Sequence, residues 1–183
     1  AQVSGFFARI PLNSALWARL KAFAELPEAT ALTGIHRRLL EETTKDFRDA
    51  GADLPEEKRT RLAQLQSELA QLTQKFSENV LDATNAWQLV VPPGDEGRLA
   101  GLPTHAKEAA RRSAECKGAA GWRFTLHQPS IEPFLTYVED AGLRREIWTA
   151  SAAVGAQAPH DNAPIIAQIL TLRAEKSRIL GQR

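Results

Sequence analysis

The segment Pro55-Glu56-Glu57-Lys58-Arg59-Thr60-Arg61-Leu62-Ala63-Gln64-Leu65-Gln66-Ser67-Glu68-Leu69-Ala70-Gln71-Leu72-Thr73-Gln74-Lys75-Phe76-Ser77-Glu78-Asn79-Val80-Leu81-Asp82-Ala83-Thr84-Asn85-Ala86-Trp87 holds no glycine and no internal proline. Pro55 suits a first helical turn, where its missing N–H has no partner to lose, and Glu56 and Glu57 favour the positive end of the helix dipole. Leu62, Leu65, Leu69, Leu72 and Phe76 follow one another at steps of 3, 4, 3 and 4, the seam of a helix packed nearly parallel to a neighbour. The spacing predicts one long helix over about 55–87, roughly 45 Å at 1.5 Å per residue. That length predicts an elongated helical body, or a helix that lies along some larger structure. The seam drifts at Asn79, which stands where the next apolar residue is due.

Toward the N-terminus, Pro11 and Asn13 precede a helical block from Ser14 to Leu26, with Leu16, Leu20, Phe23 and Ala24 at helical spacing before Pro27. A second block, about Leu32 to Ala50, carries Ile35, Leu39, Leu40 and Phe47 and ends at Gly51.

Beyond Trp87 the period changes to two. Trp87, Leu89 and Val91 share one side against Gln88 and Val90, so a short strand is expected at about 87–91, closed by Pro92-Pro93-Gly94. A second is expected at about 122–126, with a helix between them from an N-cap at Thr104 to Lys117 and Gly118 as its C-cap. The two strands could pair in either direction, and so short a ribbon must lie on helices. Helical blocks follow over Pro129 to Glu139 and Leu143 to Val154; the small-residue loop Gly155 to Pro159 then leads to a last helix, capped by Asp161 or Asn162 with Pro164 in its first turn. The fold class is therefore mainly α: an elongated antiparallel helical array with one long helix and two short β-strands, read as a single helical domain over 1–183.

The chemistry that the composition permits is narrow. With 23 Lys and Arg against 22 Asp and Glu the formal net charge is +1, which supplies no general attraction to nucleic acid or to a membrane surface. The lone Cys116 forms no internal disulfide and points to a reducing compartment or to indifference about redox state. No apolar run approaches the roughly 20 residues of a membrane span, and no leader pattern opens the chain, so a soluble, cytoplasmic protein is expected. The four histidines, His36, His105, His127 and His160, are too far apart in sequence for a preorganised zinc pair. Only His127 and His160, with Asp161 or Glu132, could meet in space. Cys116 has no histidine close in sequence, and there is no nucleophile elbow, phosphate loop or dinucleotide fingerprint. Carboxylate doublets such as Glu41-Glu42 point about 100° apart on a helix and serve solvation. Trp17, Trp87, Trp122 and Trp148 are assigned to the core in preference to a peptide groove. No catalytic, cofactor-binding or metal-binding residue is assigned.

The run from Leu65 to Trp87, and within it Phe76-Ser77-Glu78-Asn79-Val80-Leu81-Asp82-Ala83-Thr84, resembles the thimet oligopeptidase and oligopeptidase A family of zinc metallopeptidases. Further matches follow in order: Gly101-Leu102-Pro103, Gly121 to Leu126, Pro129-Ser130, Pro133, Leu143 to Glu146, Asp161-Asn162, Ile169-Leu170, Leu172-Arg173, Glu175 and Leu180-Gly181. The resemblance runs from about Leu12 onward. It implies a mostly helical fold and a parent activity of cleaving short peptides inside a channel, with zinc held by a His-Glu-x-x-His helix and a further Glu. That motif is absent from this sequence. Without it there is neither Lewis acid nor activated water. Three departures stand out: Ile131 and Trp148 where the family usually has Tyr, and Ser151 to Gly155 in place of a stretch carrying Arg. The expectation is a non-catalytic portion, a fragment or a truncated gene product, forming a channel wall and inert alone. Its expected partners are the catalytic half of the parent enzyme or short peptides, with self-association through exposed helical surface possible. The alternative is a stand-alone interaction module.

Overall fold

The computed structural model describes residues 6, 7 and 10–181. By contacts the chain divides into two compact units, Ala1–Lys75 with Ile165–Arg183, and Phe76–Pro164.

In the first unit a 3-10 turn, Ile10–Leu12, leads into α1, Ser14–Ala24. Asn13 caps this helix by accepting the Leu16 N–H at 3.0 Å. The expected extension to Leu26 does not form, because Leu26 is extended and serves as the N-cap of a four-residue helix, α2, Pro27–Thr30. Helix α3, Gly34–Asp49, returns Phe47 to stack on Trp17 with ring centroids 5.7 Å apart. Lys21 and Arg48 lie over the Trp17 ring, and its indole N–H donates to Asp53 at 2.8 Å. Asp53 thereby ties the loop after α3 to α1.

The long helix is present as α4, Glu56–Ala86. Its early seam residues Leu62 and Leu65 are fully buried, whereas Leu69 and Leu72 are half-buried. Arg61 grips Glu175 through two parallel bonds, Nε to Oε1 at 2.7 Å and Nη2 to Oε2 at 2.8 Å. A planar fork on a carboxylate fixes both separation and orientation, so this pair pins α4 to the last helix.

In the second unit both expected strands form, three residues each: β1, Leu89–Val91, and β2, Trp122–Phe124. They pair antiparallel with Leu89 opposite Phe124 and Val91 opposite Trp122. Pro92 stops β1, and beyond β2 the Thr125 N–H donates to the Ser130 hydroxyl at 3.0 Å rather than to a ladder. Two glycines permit the close approaches this unit needs. At Gly121, with φ +92°, a Cβ would fall 2.1 Å from the Val91 carbonyl oxygen; at Gly101, with φ +83°, 2.1 Å from that of Tyr137.

Three helices complete the unit, α5, Thr104–Glu115, α6, Gln128–Tyr137, and α7, Ala141–Ala152. Thr104 is the first helical residue rather than the cap, a position taken by Pro103. Asp140 caps α7 by accepting the Leu143 N–H at 3.0 Å and also accepts from Arg98 at 2.8 Å. The core gathers Val91, Leu99, Leu102, Ala110, Phe124, Ile131, Phe134, Val138, Leu143 and Ile147, with Phe124 and Phe134 edge to face at 4.5 Å. Helix α8, Ala163–Leu180, has Pro164 in its first turn as expected, and its residues from Ile165 onward belong to the first unit.

The four tryptophans do not share the fate expected for them. Trp17 is buried and Trp87 and Trp122 pack partly against the second core, but Trp148 is 61% exposed. On α7 the buried positions are Leu143 and Ile147, one turn apart; Trp148 is next to Ile147 and so points about 100° away.

Candidate functional site

The residues that set the sequence apart from a generic helical protein converge, within the second unit, on a polar clasp. Asn79 is 3% exposed and Asn162 is 3% exposed. The Asn79 amide donates to Asn162 Oδ1 at 2.9 Å, the Asn162 amide donates to the Phe76 carbonyl at 3.2 Å, and the Asn162 backbone N–H donates to the Gly155 carbonyl at 2.8 Å. Together these bonds close the loop 155–162 at its neck and hold it against α4. Asn79 thus interrupts the leucine seam because its slot faces a loop that needs a donor, where a leucine would offer none. Asp161 does the capping instead, accepting the Ala163 N–H at 2.9 Å.

Other residues that carry the resemblance are ties of the same kind. Arg123 donates to Gln88 at 2.6 Å and to Ser113 at 2.9 Å, and Arg144 donates to the Val138 carbonyl. Glu175 is the partner of Arg61. Three carboxylates of the chain are held below their usual range: Asp53 by the Trp17 indole N–H and then Lys21, Asp140 by the Leu143 N–H and then Arg98, and Glu175 by Arg61. Each shift has a structural partner as its cause, and each group sits in a tie rather than in a cleft.

The histidines are dispersed. His127 Nε2 lies 3.0 Å from Asn85 Oδ1, and His36 and His105 are exposed. Zinc is the metal the resemblance implies for complete family members, and the described residues do not fit it: no three His, Cys, Asp or Glu side chains converge so as to hold a metal ion. The meeting of His127 and His160 with Asp161 or Glu132 as a ligand group does not occur. Cys116 is exposed at the C-cap of α5. Among the described residues, no helix is long and apolar enough to cross a membrane.

The clasp partners were individually visible in the sequence, as the drift at Asn79 and the Asp161-Asn162 pair. What joins them, 83 positions apart, is tertiary and leaves no local signal.

No protein-family profile matches the chain. It is similar to oligopeptidase A of Haemophilus influenzae, 41% identical over 79% of this chain and 22% of that protein, and to oligopeptidase A of Escherichia coli, 35% identical over 88% and 25%. The probable cytosolic oligopeptidase A of Arabidopsis thaliana is 32% identical over 97% of this chain and 26% of its own length. The chain thus spans about a quarter of the length of the curated relatives it matches. Identity at this level over most of the chain, together with a clasp built from the very motifs that resemble the family, places this protein in the thimet oligopeptidase and oligopeptidase A family.

Proposed function

We infer that this chain supplies the non-catalytic helical portion of an oligopeptidase-like zinc metallopeptidase, forms one wall of its peptide channel, and is inert alone. The observation that carries the reading is the division of labour among its side chains. The family-matching polar residues are spent on internal ties, while large apolar side chains stand exposed: Trp148 at 61%, Tyr137 at 52% and Ile35 at 82%. Aromatic side chains such as Trp148 and Tyr137 are enriched where a surface meets another part of an assembly or a peptide. In a complete enzyme the metal, the activated water and the general base come from elsewhere, and this portion restricts which substrates reach them. Its partners on this reading are the catalytic half and short peptides, and a reducing cytosol suits the exposed Cys116.

The test is an assay of the purified chain with internally quenched fluorescent peptides in the presence of zinc. No turnover above buffer is expected. Turnover abolished by a chelator and restored by zinc overturns the assignment. Adding a separately expressed catalytic half should restore cleavage of short peptides, and failure of the two to associate counts against the wall.

A further inference from the structure

In the first unit, α4 and α8 leave between them an open groove of about 600 Å3, within the roughly 300–1,000 Å3 of small-ligand sites. Helix α4 lines it with Glu68, Gln71, Leu72 and Lys75, the i, i+3, i+4 and i+7 positions of one face, and α8 contributes Gln168 and Leu172. Leu72 and Leu172 are half-buried and give the groove apolar surface. Its polar side chains are not spent on ties as they are elsewhere in the chain. Among the described residues, the side chains of Gln71, Lys75 and Gln168 make no hydrogen bond or ion pair.

The two charges of α4 in the groove differ in sign and sit at its two ends. Arg61 gives Nε and Nη2 to Glu175 and meets Glu68 only through Nη1 to Oε1 at 3.1 Å. Two carboxylates thus draw on one guanidinium, and Glu68 Oε2 is left without a donor among the described residues. Lys75 is a cation with no carboxylate beside it. Seven residues on a helix rise about 10.5 Å, and three extended residues of a peptide span about 10 Å between their ends. The spacing of Glu68 and Lys75 therefore matches that of the ammonium and the carboxylate of a tripeptide. Leu72 lies between them for its middle side chain, and the Gln71 and Gln168 amides, each both donor and acceptor, suit its peptide groups.

We propose that this groove binds a short peptide by both charged ends, the ammonium toward Glu68 and the carboxylate toward Lys75. The proposal rests on the channel-wall reading for the peptide as partner, but its test measures binding without cleavage. Turnover by the chain alone would overturn the wall and leave the groove; a groove that takes up no peptide leaves the expected lack of turnover untouched. Amide chemical shifts of the full isotope-labelled chain report the site as the tripeptide Ala-Leu-Ala is added to about 10 mM. Saturable shifts confined to 68–75 and 167–172 are expected, with a dissociation constant of about 0.1–1 mM, as ligand efficiency allows a molecule of this size. The N-acetylated and the C-amidated tripeptide should each bind about threefold more weakly, the usual worth of an exposed ion pair. In Lys75→Gln the amidated and free tripeptides should bind alike while the penalty for acetylation stays, and Glu68→Gln should do the reverse. Circular dichroism checks that both substitutions leave the fold intact. The absence of saturable shifts by about 10 mM overturns the proposal. So do shifts centred outside the groove, or blocked peptides that bind as well as the free one.

Discussion

Asn79 is a polar residue in an apolar slot, and its value lies in what it holds. Asn79→Ala leaves Asn162 Oδ1 buried without its donor and should cost about 2 kcal/mol in urea unfolding. Asn162→Ala removes two side-chain hydrogen bonds at once and should cost as much or more. The double variant should be less destabilising than the sum of the singles, because the residues share one bond. An additive cycle would mean that the clasp is not a unit. At Gly121, where a Cβ would meet the Val91 carbonyl oxygen at 2.1 Å, Gly121→Ala must shift the strand pair or strain a positive φ. The expected loss is about 3 kcal/mol, read as a fall in thermal midpoint.

At the scale of elements, the ties carry a pH dependence of one sign. Asp53 and Glu175 are held below their unfolded values, so each adds stability above about pH 4 that is lost as pH falls through its folded value. Asp53→Asn should therefore flatten the acid limb of the stability curve while leaving the slope near neutrality unchanged. An unaltered acid limb would show that the Trp17 bond does not hold the carboxylate down. Much at this scale was legible in the sequence. The long helix and both strands were readable from period, proline and glycine, since these act locally. The strand direction was not, because it depends on which neighbour arrives from far along the chain; the early end of α1 and the outward face of Trp148 were missed although their causes, the residue before Pro27 and the step from Ile147, are local. Cap identity failed at Thr104, where the turn of Pro103 starts the helix, and the cap at Asn13 was not read from the sequence at all. For the clasp, Asn79 was readable as a break in the seam and Asn162 as a candidate cap, but not their union.

At the scale of the whole molecule, the two units differ in how much apolar surface they bury. The second has ten buried residues in one cluster; the first gathers Trp17, Phe47 and Ala52 in its cluster, besides the buried Leu62 and Leu65. Local stability follows contact density. Native-state hydrogen exchange should give the strongest protection to β1, β2, α6 and α7, and weaker protection to α1 and α3. Equal protection throughout would show that the chain opens only as one cooperative body.

The clasp also makes 155–162 a loop whose ends are fixed without help from its tip. Residues Ala156 to Pro159 are exposed, and the tie at the neck is made by Gly155 and Asn162 alone. Foreign sequence spliced in between Ala156 and Gln157 would have its two ends delivered close together by the host. An epitope tag, a reporter protein or a circularly permuted pair of new termini could be placed there at small entropic penalty, making this loop the natural engineering port of the molecule.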